Sequence, residues 1–156
     1  SFEKFPDAYD NTILYTDHFL NEVLNEVKKQ NGFSALFYIS DHGLKLGECD
    51  GKYIHFDSKK VYEIPFYIWA NEAWRKANSQ KWTFAKEHLT SKLTTLNIFD
   101  SILDFASITS DRMDESKSVF SSKLETVDDR HVKTYSKTVS YDNGKDDKDC
   151  HLQSLQ

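Results

Sequence analysis

Asp41-His42-Gly43 is the triplet whose side chains point most directly to chemistry. It sets a hard carboxylate beside a borderline imidazole, the ligand types from which zinc sites are built. The glycine after them would let the backbone turn tightly beside an ion. The same triplet also fits a plain turn, with an Asp cap and a solvent-facing His. Other candidates are scattered. His18 adjoins Asp17 on what reads as a helix surface, and His88, His131 and His151 show no ligand spacing. The acidic run from Asp142 to Asp149 lacks the ligand order of a calcium loop and reads as a solvated tail. Cys49 and Cys150 form no C-x-x-C or zinc-ribbon spacing, and stand as two thiols or, in an oxidising compartment, as a disulfide pinning the tail. Trp69, Trp74 and Trp82, with Tyr62, Phe66, Tyr67 and Phe84, read mainly as core, an aromatic surface for lipid or sugar being the alternative.

The triplet needs a scaffold, and the apolar pattern supplies one. Ile13, Leu20, Val23, Leu24 and Val27 fall at helical spacing, with Glu22, Asn25, Glu26, Lys28 and Lys29 opposite, and Asn31-Gly32 gives a stop signal; a helix over 12–30 is expected. The run 33–39, bounded by Gly32 and Ser40-Asp41, reads as a strand covered on both faces. In open α/β sheets, the loops leaving the carboxyl ends of strands carry the site, and here that loop begins at Ser40. A second strand is expected over 61–69, at an edge or with a bulge because of Pro65. A short helix fits 71–78. Leu93, Leu96, Phe99, Leu103 and Ala106, with Ile98, Ile102 and Phe105, form a second helical stripe to about Ile108. Beyond Thr109 large apolar residues thin out, so the core is expected to end there. One exposed strand fits 134–141. The expected division is a folded part over 1–127 and a polar tail over 128–156, disordered or packed on the surface.

With 38% apolar residues in 156, the chain can furnish a core, and a net charge of −5 leaves no electrostatic footprint for nucleic acid. It contains no apolar run of the roughly 18 residues that a membrane helix requires. It begins at Ser1 with what reads as mid-domain sequence, the expectation being a piece of a longer protein.

Several segments in order carry a family likeness. YDNTILYTDHFL, ALFYISDHGLKLGE, KYIHF and EIPFYIWAN resemble, respectively, the helix-opening segment, the strand with its metal loop, the Y-L-H-G segment and the V-P strand of the phosphoethanolamine transferases of the alkaline phosphatase/sulfatase superfamily. LTTLNIFDSILDF and SKSVFSSKLE are similar to that family's last helix and closing serine turn. The likeness covers residues 8 to about 122. It implies the C-terminal portion of an alkaline phosphatase-like α/β/α sandwich.

Carried over by position, it makes Asp41 and His42 zinc ligands and sets His55 near the transferred phosphate or a second metal. The family's nucleophilic threonine, its metal-binding glutamate and a further histidine match no segment of this chain, which alone is expected to be inactive. The implied activity is transfer of phosphoethanolamine from phosphatidylethanolamine to an envelope acceptor such as lipid A. It would take place on the periplasmic side of the bacterial inner membrane, together with an N-terminal membrane and catalytic part. Leu44 and Lys45 stand where the family has Glu and Ser, and Phe56 where it has Gly, which favours a divergent member. Competing readings are a sulfatase- or phosphodiesterase-like hydrolase and a non-catalytic structural module.

Overall fold

Helix α1 (Phe5–Lys28) begins earlier than its apolar stripe requires, with Pro6 and Asp7 in the first turn, where a missing N–H costs little and a carboxylate faces unpaired amides. The structure, a computed structural model, describes residues 5–47, 51, 58–134, 137–148 and 151–153. It divides into two compact units, Ser1–Trp74 with His131–Gln156, and Arg75–Arg130.

In the first unit, α1 stops as expected before Gly32, which takes φ 82°. Leu20, Val23, Leu24 and Val27 are half-buried, and α1 packs against strand β1 (Ala35–Ile39). Ile13, expected in the same buried stripe, is 51% exposed, beside Leu14 at 67% and Phe19 at 55%. Length explains the difference. A strand of 5 residues spans about 17 Å and a helix of 24 residues about 36 Å, so β1 covers only part of α1.

Strand β1 pairs antiparallel with β2 (Phe66–Ala70), Ala35 opposite Ala70 and Tyr38 opposite Tyr67, whose rings stack at 5.9 Å. Asn71 locks the far end of the pair. Its amide nitrogen donates to Gly32 O at 2.7 Å, its backbone N–H to Ser34 O at 2.9 Å, and its side-chain oxygen accepts from Trp74 N at 2.9 Å. The expected covering of both faces of β1 is not found, since no residue of β1 is fully buried and Ile39 is exposed.

The strand expected over 61–69 is shorter. Residues Lys59–Tyr62 form instead one helical turn, α2, with Ser58 at its N-cap, and β2 starts only after Pro65. A serine whose hydroxyl accepts from Lys60 N at 3.2 Å nucleates the turn, and the proline then restricts what precedes β2.

Strands β3 (His131–Lys133) and β4 (Thr138–Ser140) make one antiparallel ribbon, and β5 (Lys145–Asp146) and β6 (Leu152–Gln153) another, with Val139 and Leu152 each 1% exposed. Of the single exposed strand expected over 134–141, β4 covers 138–140, anchored by the buried Val139, and its partner β3 lies ahead of the expected range. Gly144 lets the ribbons approach, because a Cβ there would sit 2.3 Å from Ser140 O.

The second unit holds α4 (Ser79–Glu87), a 3₁₀ turn (His88–Thr90), α5 (Leu96–Phe105) and a 3₁₀ turn (Glu115–Lys117); α3 (Glu72–Ala77) spans the division between units. Helix α5 follows the expected stripe only in part: Ile98, Leu103 and Phe105 are half-buried. Leu96, Phe99 and Ile102 are exposed, while Asn97, Asp100 and Ser101 are buried. Those polar residues, with Asp104, hold the following turn. Asn97 Nδ2 donates to Lys117 O at 2.9 Å and Asp100 Oδ1 accepts from Asp114 N at 2.8 Å. Ser101 Oγ accepts from Val119 N at 3.0 Å, and Asp104 Oδ2 accepts from Ser118 Oγ at 2.6 Å. Lys81 Nζ completes the group, 2.8 Å from Asp104 Oδ1. The turn delivers Val119 and Phe120, 4% and 1% exposed, into this unit's core, with Phe120 against Phe105 at 5.4 Å. The core therefore continues past Thr109, contrary to the compositional expectation.

Candidate metal centre

The chain leaves β1 at Ser40, whose N–H reaches Pro65 O at 3.4 Å, so the loop starts where the strand pair ends. Ser40 Oγ donates to His42 O at 2.8 Å and Asp41 Oδ1 accepts from His42 N at 3.0 Å, which folds the backbone back on itself. Both predicted ligands therefore project from one tight turn at the carboxyl end of β1. The Asp41 side chain is 89% exposed and that of His42 46%.

His42 Nδ1 lies 2.8 Å from Gly43 O. A carbonyl can only accept, so Nδ1 carries the proton, and in the neutral imidazole Nε2 is the nitrogen with the lone pair. A backbone carbonyl on the distal nitrogen is the arrangement that orients metal-binding histidines. Nε2 lies 3.8 Å from Asp41 Oδ2. Two ligand atoms on one tetrahedral zinc, with bonds of about 2.0–2.1 Å, stand roughly 3.3 Å apart, so a small side-chain adjustment brings both onto one ion. These residues fit zinc as a ligand pair. Among the described residues no group of three or more His, Cys, Asp or Glu gathers to hold a metal.

Gly43 has a role that its place beside the ligands does not reveal. Its N–H donates to Val61 O at 2.8 Å, and a Cβ on it would lie 2.1 Å from Lys60 O and 3.0 Å from Glu63 O. Glycine is required for contact with the α2 segment, and α2 is thereby the wall against which the loop is built. Ser58 at the N-cap was the available signal for this element. Lys45, where the resembled family has Ser, is fully buried within the loop. An ammonium is removed from water only where polar groups replace its hydration, so this substitution is part of the loop's internal structure.

His55 lies outside the described residues, as do Cys49 and Cys150. His18 is exposed on α1, His88 Nδ1 is held by Val119 O at 2.9 Å, and His151 Nδ1 lies 3.9 Å from Asp147 Oδ2. No helix among the described residues is long and apolar enough to cross a membrane.

The family model described as Sulfatase matches residues 3–108. The chain belongs to the sulfatase family. Among curated proteins it is similar to phosphoethanolamine transferase EptA of Helicobacter pylori, 37% identical over 84 residues that take in 51% of this chain and 16% of that protein. Among solved structures it is similar to the C-terminal periplasmic domain of phosphoethanolamine transferase EptC from Campylobacter jejuni, with a TM-score of 0.67 and 31% identity over 81% of this chain and 41% of that one. The corresponding Escherichia coli EptC domain, solved in complex with Zn, matches with a TM-score of 0.69 and 23% identity over 86% of this chain and 39% of that one. The fold is α/β, the C-terminal portion of the alkaline phosphatase-like sandwich. The chain spans about a sixth of the length of the EptA relative and about two fifths of the solved domains.

Proposed function

We propose that this chain forms the C-terminal part of the catalytic domain of a phosphoethanolamine transferase and contributes Asp41 and His42 as zinc ligands. The carrying observation is the ligand turn itself: a carboxylate and an imidazole at the end of β1, with the Nδ1 proton committed to Gly43 O at 2.8 Å so that Nε2 is the coordinating atom. Family membership and the likeness to EptA and EptC support the reaction class. A solved relative in complex with Zn supports the choice of ion.

In the proposed reaction a threonine hydroxyl from outside this chain attacks the phosphorus of phosphatidylethanolamine. The bond from phosphorus to the diacylglycerol oxygen breaks, and diacylglycerol leaves with a proton. An oxygen of the hydroxyl or phosphate of an envelope acceptor such as lipid A, in the periplasm, then attacks the same phosphorus; the bond from phosphorus to the threonine oxygen breaks, and the threonine takes back a proton. Zinc, when bound, lowers the pKa of a coordinated hydroxyl and offsets charge on the phosphoryl oxygens. Asp41 supplies anionic charge to the site, His42 a neutral nitrogen whose direction Gly43 sets, and His55 a contact to the transferred phosphate. The further metal ligands and the membrane part belong to the rest of the protein.

The test is transfer of phosphoethanolamine from labelled phosphatidylethanolamine by the protein that carries this chain. Asp41→Ala and His42→Ala are expected to lose zinc and transfer together. His55→Ala is expected to lower transfer by roughly 10²-fold or more while zinc is retained, as for a group acting on the reacting phosphate. Normal transfer in either ligand variant would overturn the site.

A further inference from the structure

The C-terminal ribbons are tied to the segment that carries the ligand turn. Asp146, on β5, accepts from Ser58 Oγ at 2.9 Å through Oδ2 and from Lys59 N at 2.9 Å through Oδ1. Ser58 is fully buried. Three further contacts grip the same short segment. Tyr62 OH donates to Lys133 O at 3.1 Å, Tyr141 OH to Glu63 Oε1 at 2.6 Å, and Lys59 Nζ stands 4.9 Å from the centre of the Tyr141 ring. The ribbons lie beyond residue 108, where the match to the family model ends.

On its other side the segment holds Gly43, whose N–H is bound by Val61 O at 2.8 Å and whose carbonyl receives His42 Nδ1–H at 2.8 Å. Both polar groups of one glycine thus link α2 to the imidazole. A single helical turn of four residues cannot hold its own position, since nucleating a turn fixes several residues for one hydrogen bond. Something outside it must.

We infer that Asp146 is a positioning residue for the ligand turn: by fixing Ser58 and Lys59 it places Val61 O, which sets Gly43 and, through it, the direction of His42. That the turn binds zinc rests on the function proposed above; the mechanical link from Asp146 to Gly43 does not. Both of its side-chain oxygens are used as acceptors.

The test is residue-resolved amide hydrogen exchange on the complete chain, without added metal, comparing wild type with Asp146→Ala and the near-isosteric Asp146→Asn. Exchange at Gly43 and Val61 is expected to quicken about tenfold or more in Asp146→Ala and less in Asp146→Asn, with the amides of α1 unchanged. Asp146→Asn provides the reading if the alanine variant does not fold. Unchanged exchange at Gly43, or equal acceleration throughout α1 and β1, would overturn the inference, since the first makes the cap local and the second makes it general. Zinc affinity, measured by chelator competition on the same variants, separates the two claims. Zinc bound by wild type with Gly43 exchange indifferent to Asp146 keeps the metal site and removes the link. Gly43 exchange dependent on Asp146 in a chain that binds no zinc keeps the link and removes the metal site.

Discussion

Gly43 shows how a residue chosen for one reason can be required for another. In sequence it stands beside the two proposed ligands, where a tight turn is wanted; in the structure its missing side chain admits the backbone of Lys60 and Glu63. An alanine Cβ at 2.1 Å from Lys60 O cannot be accommodated by rotating a side chain, because the obstacle is backbone. We expect Gly43→Ala to destabilise the first unit by about 1–3 kcal/mol, the usual range for overpacking, read as a lower urea midpoint with an unchanged m-value. An unchanged midpoint would mean that the loop does not press on α2. The proposed pair could be picked out because its two members are adjacent in the chain. The support beneath them could not, because Gly43 and Val61 meet only through folding.

At the scale of elements, α5 is the instructive case. Counting apolar residues finds its helix but only part of its inward side, Ile98, Leu103 and Phe105. Asn97, Asp100, Ser101 and Asp104 also recur at helical spacing, and it is this polar stripe that is buried or nearly so, each member meeting a specific group of the turn at 114–120. Burial of such a stripe is tolerated only when its hydrogen bonds are made, and here they are. Ser101→Ala would strand the buried Val119 N–H, so a loss of about 1–3 kcal/mol is expected in denaturant unfolding, against near neutrality if that amide found another acceptor. Similarly, the helix stop at Gly32 and the end of β1 at Ser40 could be read directly, since each is marked by local residues. The α2 turn could not, because the apolar run around it imitates a strand and only the Ser58 cap argues otherwise. Asp146 is still less legible. It lies inside a stretch whose composition resembles solvated tail, and its partners Lys59 and Ser58 are 87 and 88 residues away.

At the scale of the molecule, family membership and fold agree with the likeness carried by the segments from Tyr9 to Trp69. In the function proposed, Asp41 and His42 are two ligands of a metal site; among the described residues no group of three or more His, Cys, Asp or Glu gathers, and further residues would complete the coordination. The central claim concerns Asp41 and His42. Because the Asp41 side chain is 89% exposed and its Oδ1 accepts from His42 N within the same turn, replacing it should leave the fold intact. The most direct measurement is therefore the zinc content, by elemental analysis, of the purified protein carrying this chain and of its Asp41→Ala and His42→Ala variants, with circular dichroism to establish folding. Near-stoichiometric zinc in the wild type, lost in both folded variants, is the result predicted here. Zinc retained undiminished in either folded variant would contradict it.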